Sequence, residues 1–93
     1  MTASRQSRLE ERLTSALHPQ SLDISDDSHL HAGHAGAADG RGHFTVRIVS
    51  ERFQGLPTLK RHRLVYEAVG DMMQTDVHAL SIQAMTPAES IDS

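Results

Sequence analysis

The chain has no cysteine, which excludes a disulfide framework, a Cys-based zinc finger and a catalytic thiol. It also cannot hold an ordinary Cys-ligated iron–sulfur cluster alone. Any iron or zinc must be met by histidine, by carboxylate or by thiolates from a partner. Tryptophan is absent too, and the only aromatics are Phe44, Phe53 and Tyr66. A core must therefore come from Leu, Val, Ile and Met, and few rings are available to stack on nucleobases. Nowhere do about 18 apolar residues run together, and the N-terminal MTASRQSRLEERL is charged without an apolar stretch. Neither a membrane span nor a secretory leader is expected, and a cytoplasmic protein is the simplest reading. Also missing are a Gly-x-Ser-x-Gly elbow, a phosphate-binding loop and a His-Glu-x-x-His pair, and the neighbouring carboxylates Asp26 and Asp27 do not converge as a catalytic pair would. An enzyme is not expected.

What is present is histidine. In DDSHLHAGHAG, residues 26 to 36, His29, His31 and His34 fall close together, and His43 follows nine residues later. The 93 residues are enough for one small domain and too few for two cores. The net charge of −3 hides an asymmetry. Residues 41 to 63 carry Arg41, Arg47, Arg52, Lys60, Arg61 and Arg63 against Glu51 alone, which is +5 and leaves −8 for the remainder. A basic stretch on an acidic chain suits phosphate backbones or an acidic protein surface alike.

The elements follow from periodicity. Leu9, Leu13, Ala16 and Leu17 recur at helical spacing, Ser7 and Glu10 fit a capping box, and Pro19 stops the helix near His18. SLDIS alternates as a short strand, HAGHAGAADGRG reads as a loop, and HFTVRIVS alternates Phe44, Val46 and Ile48 against Thr45, Arg47 and Val49. After Gly55 and Pro57, Thr58 caps a helix running to about residue 74, with Leu59, Val65, Tyr66, Val69 and Met73 on one stripe. VHALSIQAM is a third strand with His78, Leu80, Ile82 and Ala84 on its inner face. The tail TPAESIDS frays or forms one turn. The order helix, strand, strand, helix, strand predicts one α+β domain over 1–93, with its core at about 7–87 and a frayed tail at 88–93. Helices should cover one face of a three-stranded mixed sheet, with the hairpin at about 20 to 50 and the third strand parallel to the second.

Three motifs together resemble the BolA-like family: Arg52-Phe53-x-Gly55; Arg61-His62-Arg63 near a helix start; and Val77-His78-Ala79-Leu80 opening a strand. The resemblance runs from about residue 7 to 87. It implies a fold like a class II KH domain, without the Gly-x-x-Gly loop that clamps nucleic-acid backbone. It also implies a partner, a monothiol glutaredoxin with bound glutathione, and a 2Fe–2S cluster shared with it rather than bound by this chain alone. The chain would be a monomer by itself and a heterodimer with the partner.

On that resemblance the metal ligands are His78 and a loop histidine, best matched by His31, with His34 a rival and His29 a weaker one. Without it, His78 would read as a half-buried strand histidine and the loop histidines as a solvated segment. Zinc held by His29, His31 and His34 alone lacks a dependable fourth ligand. Arg52, Lys60, Arg61, His62 and Arg63 are candidates for a partner-binding or nucleic-acid-binding face, although His62 fits helix packing equally well. Tyr66 is read as core or core edge. The two functional expectations are an adaptor in iron–sulfur cluster assembly, trafficking or iron sensing, and a DNA-binding regulator linked to transcription and stress response.

Overall fold

The computed structural model describes residues 4–27 and 42–92. Helix α1 (Arg5–Leu17) buries Leu9, Leu13 and Leu17, a stripe at four-residue spacing. Its N-cap is Ser4, whose hydroxyl accepts from the Ser7 amide at 3.1 Å, so the helix starts three residues before the expected capping box. It ends at His18 in the left-handed region (φ 46°, ψ 56°), with Pro19 blocking any continuation.

Strand β1 (Ser21–Asp26) pairs antiparallel with β2 (Gly42–Val49), and β3 (Val77–Met85) lies parallel to β2 on its other side, giving the sheet order β1-β2-β3. The expected fold class and strand directions therefore hold. β2 is central, and its Phe44, Val46 and Ile48 are fully buried beneath α1 and the next long helix. Leu22 and Ile24 flank them from β1, and Leu80, Ile82 and Ala84 from β3. At the end of β2, buried Ser50 donates its hydroxyl to the Leu17 carbonyl at 2.7 Å, tying the first helix to the sheet. A single 3-10 turn (Glu51–Phe53) then sets Phe53 into the core.

The long second helix expected over about 58–74 is two helices. α2 (Thr58–Val69) buries Val65 and Val69, and α3 (Met72–Thr75) adds Met72. Gly70 divides them at φ 61°, ψ −132°, backbone that a residue with a Cβ adopts only under strain. A Cβ there would also meet Nη1 of Arg12 at 3.2 Å. Thr58 is not the cap: Pro57 holds the N-cap position and makes no side-chain bond. The expected stripe is corrected as well, because Leu59 and Tyr66 are exposed while Leu64 and Ala68 pack on the core with Val65 and Val69.

The tail is a short helix, α4 (Pro87–Asp92), instead of frayed chain. Thr86 and Glu89 cap each other's amides, the Thr86 amide donating to Oε1 of Glu89 at 2.8 Å and the Glu89 amide to Oγ1 of Thr86 at 3.3 Å. This is a Thr-x-x-Glu capping box with Pro87 in the first helical position. Among the described residues no helix is long and apolar enough to cross a membrane.

Candidate metal and partner site

β3 begins with an irregularity. Gly42 pairs with Val77 and His43 with Ala79, so His78 is an extra residue in β3. Such a bulge turns the alternation by one residue. Val77 becomes the buried side chain, Leu80 still faces the core, and His78 is exposed. The expectation that His78 lies on the inner face with Leu80, Ile82 and Ala84 is therefore corrected. A strict period of two cannot pass through a bulge, and the sequence VHAL carries no glycine to announce one.

Around this bulge the backbone is anchored on both sides. The Gly42 amide donates to the Asp76 carbonyl at 2.8 Å, and the Asp27 amide to the His43 carbonyl at 2.7 Å. Asp27 and Gly42 are thus held at the same end of the sheet as His78, and residues 28–41 run between them. His29, His31 and His34 lie outside the described residues. Asp76, just before β3, takes Nη1 of Arg8 at 2.8 Å and Nε of Arg5 at 3.6 Å. The hydrogen bond from Arg8 is the chief reason its carboxyl titrates below the usual range. Among the described residues no three His, Asp or Glu side chains converge as a metal site.

Among the described residues the basic stretch does not form one face, and Arg41 lies outside them. Arg47 is on the sheet surface away from the helices, opposite Asp23 of β1. Arg61 points inward along the strand end: its guanidinium donates to the Leu56 carbonyl (2.7 Å), to the Ala84 carbonyl (3.2 Å) and to both carboxylate oxygens of Glu89 (2.6 and 3.2 Å). Its side chain is only 14 % exposed. These bonds, with the Thr86 amide, pull the Glu89 carboxyl down to about 2. Lys60 and Arg63, three residues apart on α2, stay exposed, as does Arg52 on the 3-10 turn. His62 is half-buried and lines a shallow groove of about 350 Å³ with Leu59, Arg63, Tyr66 and Glu67. Tyr66 is 41 % exposed, so the core or core-edge reading of it is corrected: on α2 it is turned about 100° around the helix from the buried Val65.

The structural contribution of Arg61, Glu89 and Thr86 was missed from sequence. The signal lies in the Thr-x-x-Glu spacing of TPAE, a capping box that orders the tail beyond a single turn.

Comparisons with known proteins bear on the family and the fold. Residues 13–89 match the family model described as BolA-like protein. The SufE-like protein 1, chloroplastic/mitochondrial, of Arabidopsis thaliana is 50% identical over 91 residues, 92% of this chain and 24% of that protein. Protein BOLA1, chloroplastic, of the same plant is 48% identical over 90 residues, 94% of this chain and 56% of the relative. The DNA-binding transcriptional regulator BolA of Escherichia coli is 39% identical over 82 residues, 88% of this chain and 75% of the regulator. The chain thus spans between a quarter and about half the length of the two plant proteins. In structure it is similar to the BolA domain of SufE1 from Arabidopsis thaliana, with a TM-score of 0.82 at 45% identity, covering 96% of this chain and 99% of that one.

Proposed function

The chain belongs to the BolA-like family, and on that premise we propose that it is a non-enzymatic adaptor which partners a monothiol glutaredoxin and co-ligates a 2Fe–2S cluster as cargo. The observation that carries this reading is the exposure of His78 on the β3 bulge, beside the two anchored ends of the histidine-rich segment 28–41. A ligand that must meet a partner's metal has to stand clear of its own core, and His78 does. The donor set fits the group: with no cysteine in the chain, imidazole is offered on this side and thiolates are left to the glutaredoxin and its glutathione, a division known for two-His, two-thiolate clusters. His78 would hold one iron, with His31 as the favoured loop ligand and His34 the rival. Imidazole ligation competes with protons, which suits a cluster that is passed on. A cytoplasmic setting is part of the same proposal.

Co-expression with a monothiol glutaredoxin tests it. A coloured heterodimer with visible absorption under anaerobic conditions is expected, and His78→Ala should bleach or shift that spectrum, while His31→Ala alone is partly rescued by His34. An unaltered spectrum and cluster lifetime with His78, His31 and His34 all replaced by Ala would exclude the mechanism.

A second reading, a DNA-binding regulator, is favoured by the exposed pair Lys60 and Arg63 on α2 and by the relative of that name in Escherichia coli. So few cations release few counterions, so this binding would be weak and strongly salt-dependent.

A further inference from the structure

The bulge that exposes His78 also determines its neighbour. On β3, Val77 is fully buried and Leu80 packs on the core, so the two residues between them, His78 and Ala79, both turn away from it. On β2, Phe44 is fully buried, so the adjacent His43 is directed to the opposite face of the sheet. The register pairs His43 with Ala79 and leaves His78 in the step between that pair and Gly42–Val77. Two histidines thus occupy the helix-free face at one end of adjacent strands, about 4.8 Å apart in strand spacing. Both are carried on backbone that is fixed by hydrogen bonds: the His43 carbonyl accepts from the Asp27 amide at 2.7 Å, and the Gly42 amide donates to the Asp76 carbonyl at 2.8 Å. The next outward residue of β2, Thr45, donates its hydroxyl to the carboxylate of Asp27, which also accepts from Ser25. A negative charge is therefore held on that same face, where it favours a cation.

We infer that, in the isolated chain, His43 and His78 form a two-imidazole clamp for a borderline divalent cation such as Co2+, Ni2+ or Zn2+, a site that needs no histidine of segment 28–41 and is separate from the cluster ligation proposed with His31. The inference rests on the proposed function only in taking His78 as a ligand; the clamp itself needs no glutaredoxin. Imidazole suits these metals, and two donors on rigid strands lose less freedom on binding than one donor on a strand and one on a long connection. Two ligands leave the remaining coordination positions to water or to a partner.

The isolated chain is titrated with Co2+ at pH about 8, where protons compete little for ring nitrogen, and the visible absorption is followed. Removing a metal's outer-shell partner typically weakens binding about 10–100-fold, and loss of a ligand should cost at least as much. His43→Gln and His78→Gln should each weaken Co2+ binding roughly tenfold or more, and the double variant little further, because either change destroys the chelate. The combined His29→Ala, His31→Ala, His34→Ala variant should bind as the parent does. Wild-type affinity in His43→Gln, or loss of the site in the triple variant, would overturn the inference. Should His43→Gln disturb the strand, the parent chain decides: substoichiometric Ni2+ should broaden the ring signals of His43 and His78 together, and broadening at His78 without His43 sinks the clamp. A failure of the parent chain to form a coloured complex with glutaredoxin would count against the adaptor reading and leave the Co2+ result standing.

Discussion

At its first residues, β3 is gripped by an arginine–carboxylate pair, Arg8 on Asp76 at 2.8 Å, while His78, two residues on, is turned outward by a bulge. At its last residues the strand meets another such pair, Arg61 on Glu89 at 2.6 Å, and here everything turns inward: Arg61 also bonds the Ala84 carbonyl, and α4 folds over the end. The same chemistry closes one end of the strand and leaves an exposed histidine presented at the other. Burial of the guanidinium decides the difference. Arg61 is 14 % exposed and satisfied by three groups of its own chain, so it has little left to offer a partner, whereas the Arg8–Asp76 pair sits beneath an exposed imidazole and steadies the backbone that carries it.

The comparison breaks most sharply at Met72, the fully buried side chain of α3 that supports the open end. Met72→Ala should cost about 2–5 kcal/mol of stability, the usual range for emptying a core position, read by urea denaturation. Because α3 leads directly into Asp76 and β3, the metal binding proposed for His78 should fall with it. A loss below about 1 kcal/mol would mean that the open end is held by its ion pair and not by the core.

Next in size is the closed end. Arg61→Ala removes bonds to two carbonyls and a carboxylate, and should cost roughly 2–3 kcal/mol, the order for a partly buried charged hydrogen bond left unmade. The loss should be accompanied by faster hydrogen exchange at the Ser90 amide, which bonds the Thr86 carbonyl at 3.1 Å. Acid should open the same latch. Glu89 is held down from 4.5 to about 2, so its contribution is fully present above pH about 4.5 and is lost as pH falls through about 2. Ser90 protection should therefore survive at pH about 5 and fade near pH 2. In Glu89→Gln that acid transition should vanish; its persistence would show that another carboxylate holds α4.

How much of this was legible beforehand depends on whether the deciding physics is local. Alternation in HFTVRIVS and the four-residue spacing of Leu9, Leu13 and Leu17 read correctly because burial on one face imposes a period, and the hairpin and crossover rules then set the strand order. The bulge at His78 and the inward turn of Arg61 could not be read. One depends on how β3 registers against β2, the other on a carboxylate 28 residues further along the chain. Tyr66 and Leu59 misled for a related reason: both are apolar at helical spacing, yet α2 shows the core only the stripe through Val65 and Val69. His62 remained ambiguous in sequence and is intermediate in the structure, half-buried on the groove wall.

The smallest effect separates Arg61 from Arg63, two residues that the basic-patch reading treated alike. Arg63 is exposed on α2, so Arg63→Ala should change stability by no more than about 0.5 kcal/mol, the range for surface positions away from special features. Its effect should appear in binding instead. If α2 contacts phosphate, losing this cation lowers affinity for all DNA sequences alike and reduces the slope of log affinity against log salt by about 1, and Lys60→Ala should do the same because it shares the helix face three residues earlier. Arg61→Ala should leave that salt slope unchanged under conditions where the chain is still folded, since its charge is already neutralised by Glu89. Fluorescence anisotropy with a duplex of arbitrary sequence, repeated over a range of salt, measures all three. A slope altered by Arg61→Ala and not by Arg63→Ala would mean that the latch opens when nucleic acid binds, and the closed end of β3 would then be the functional one.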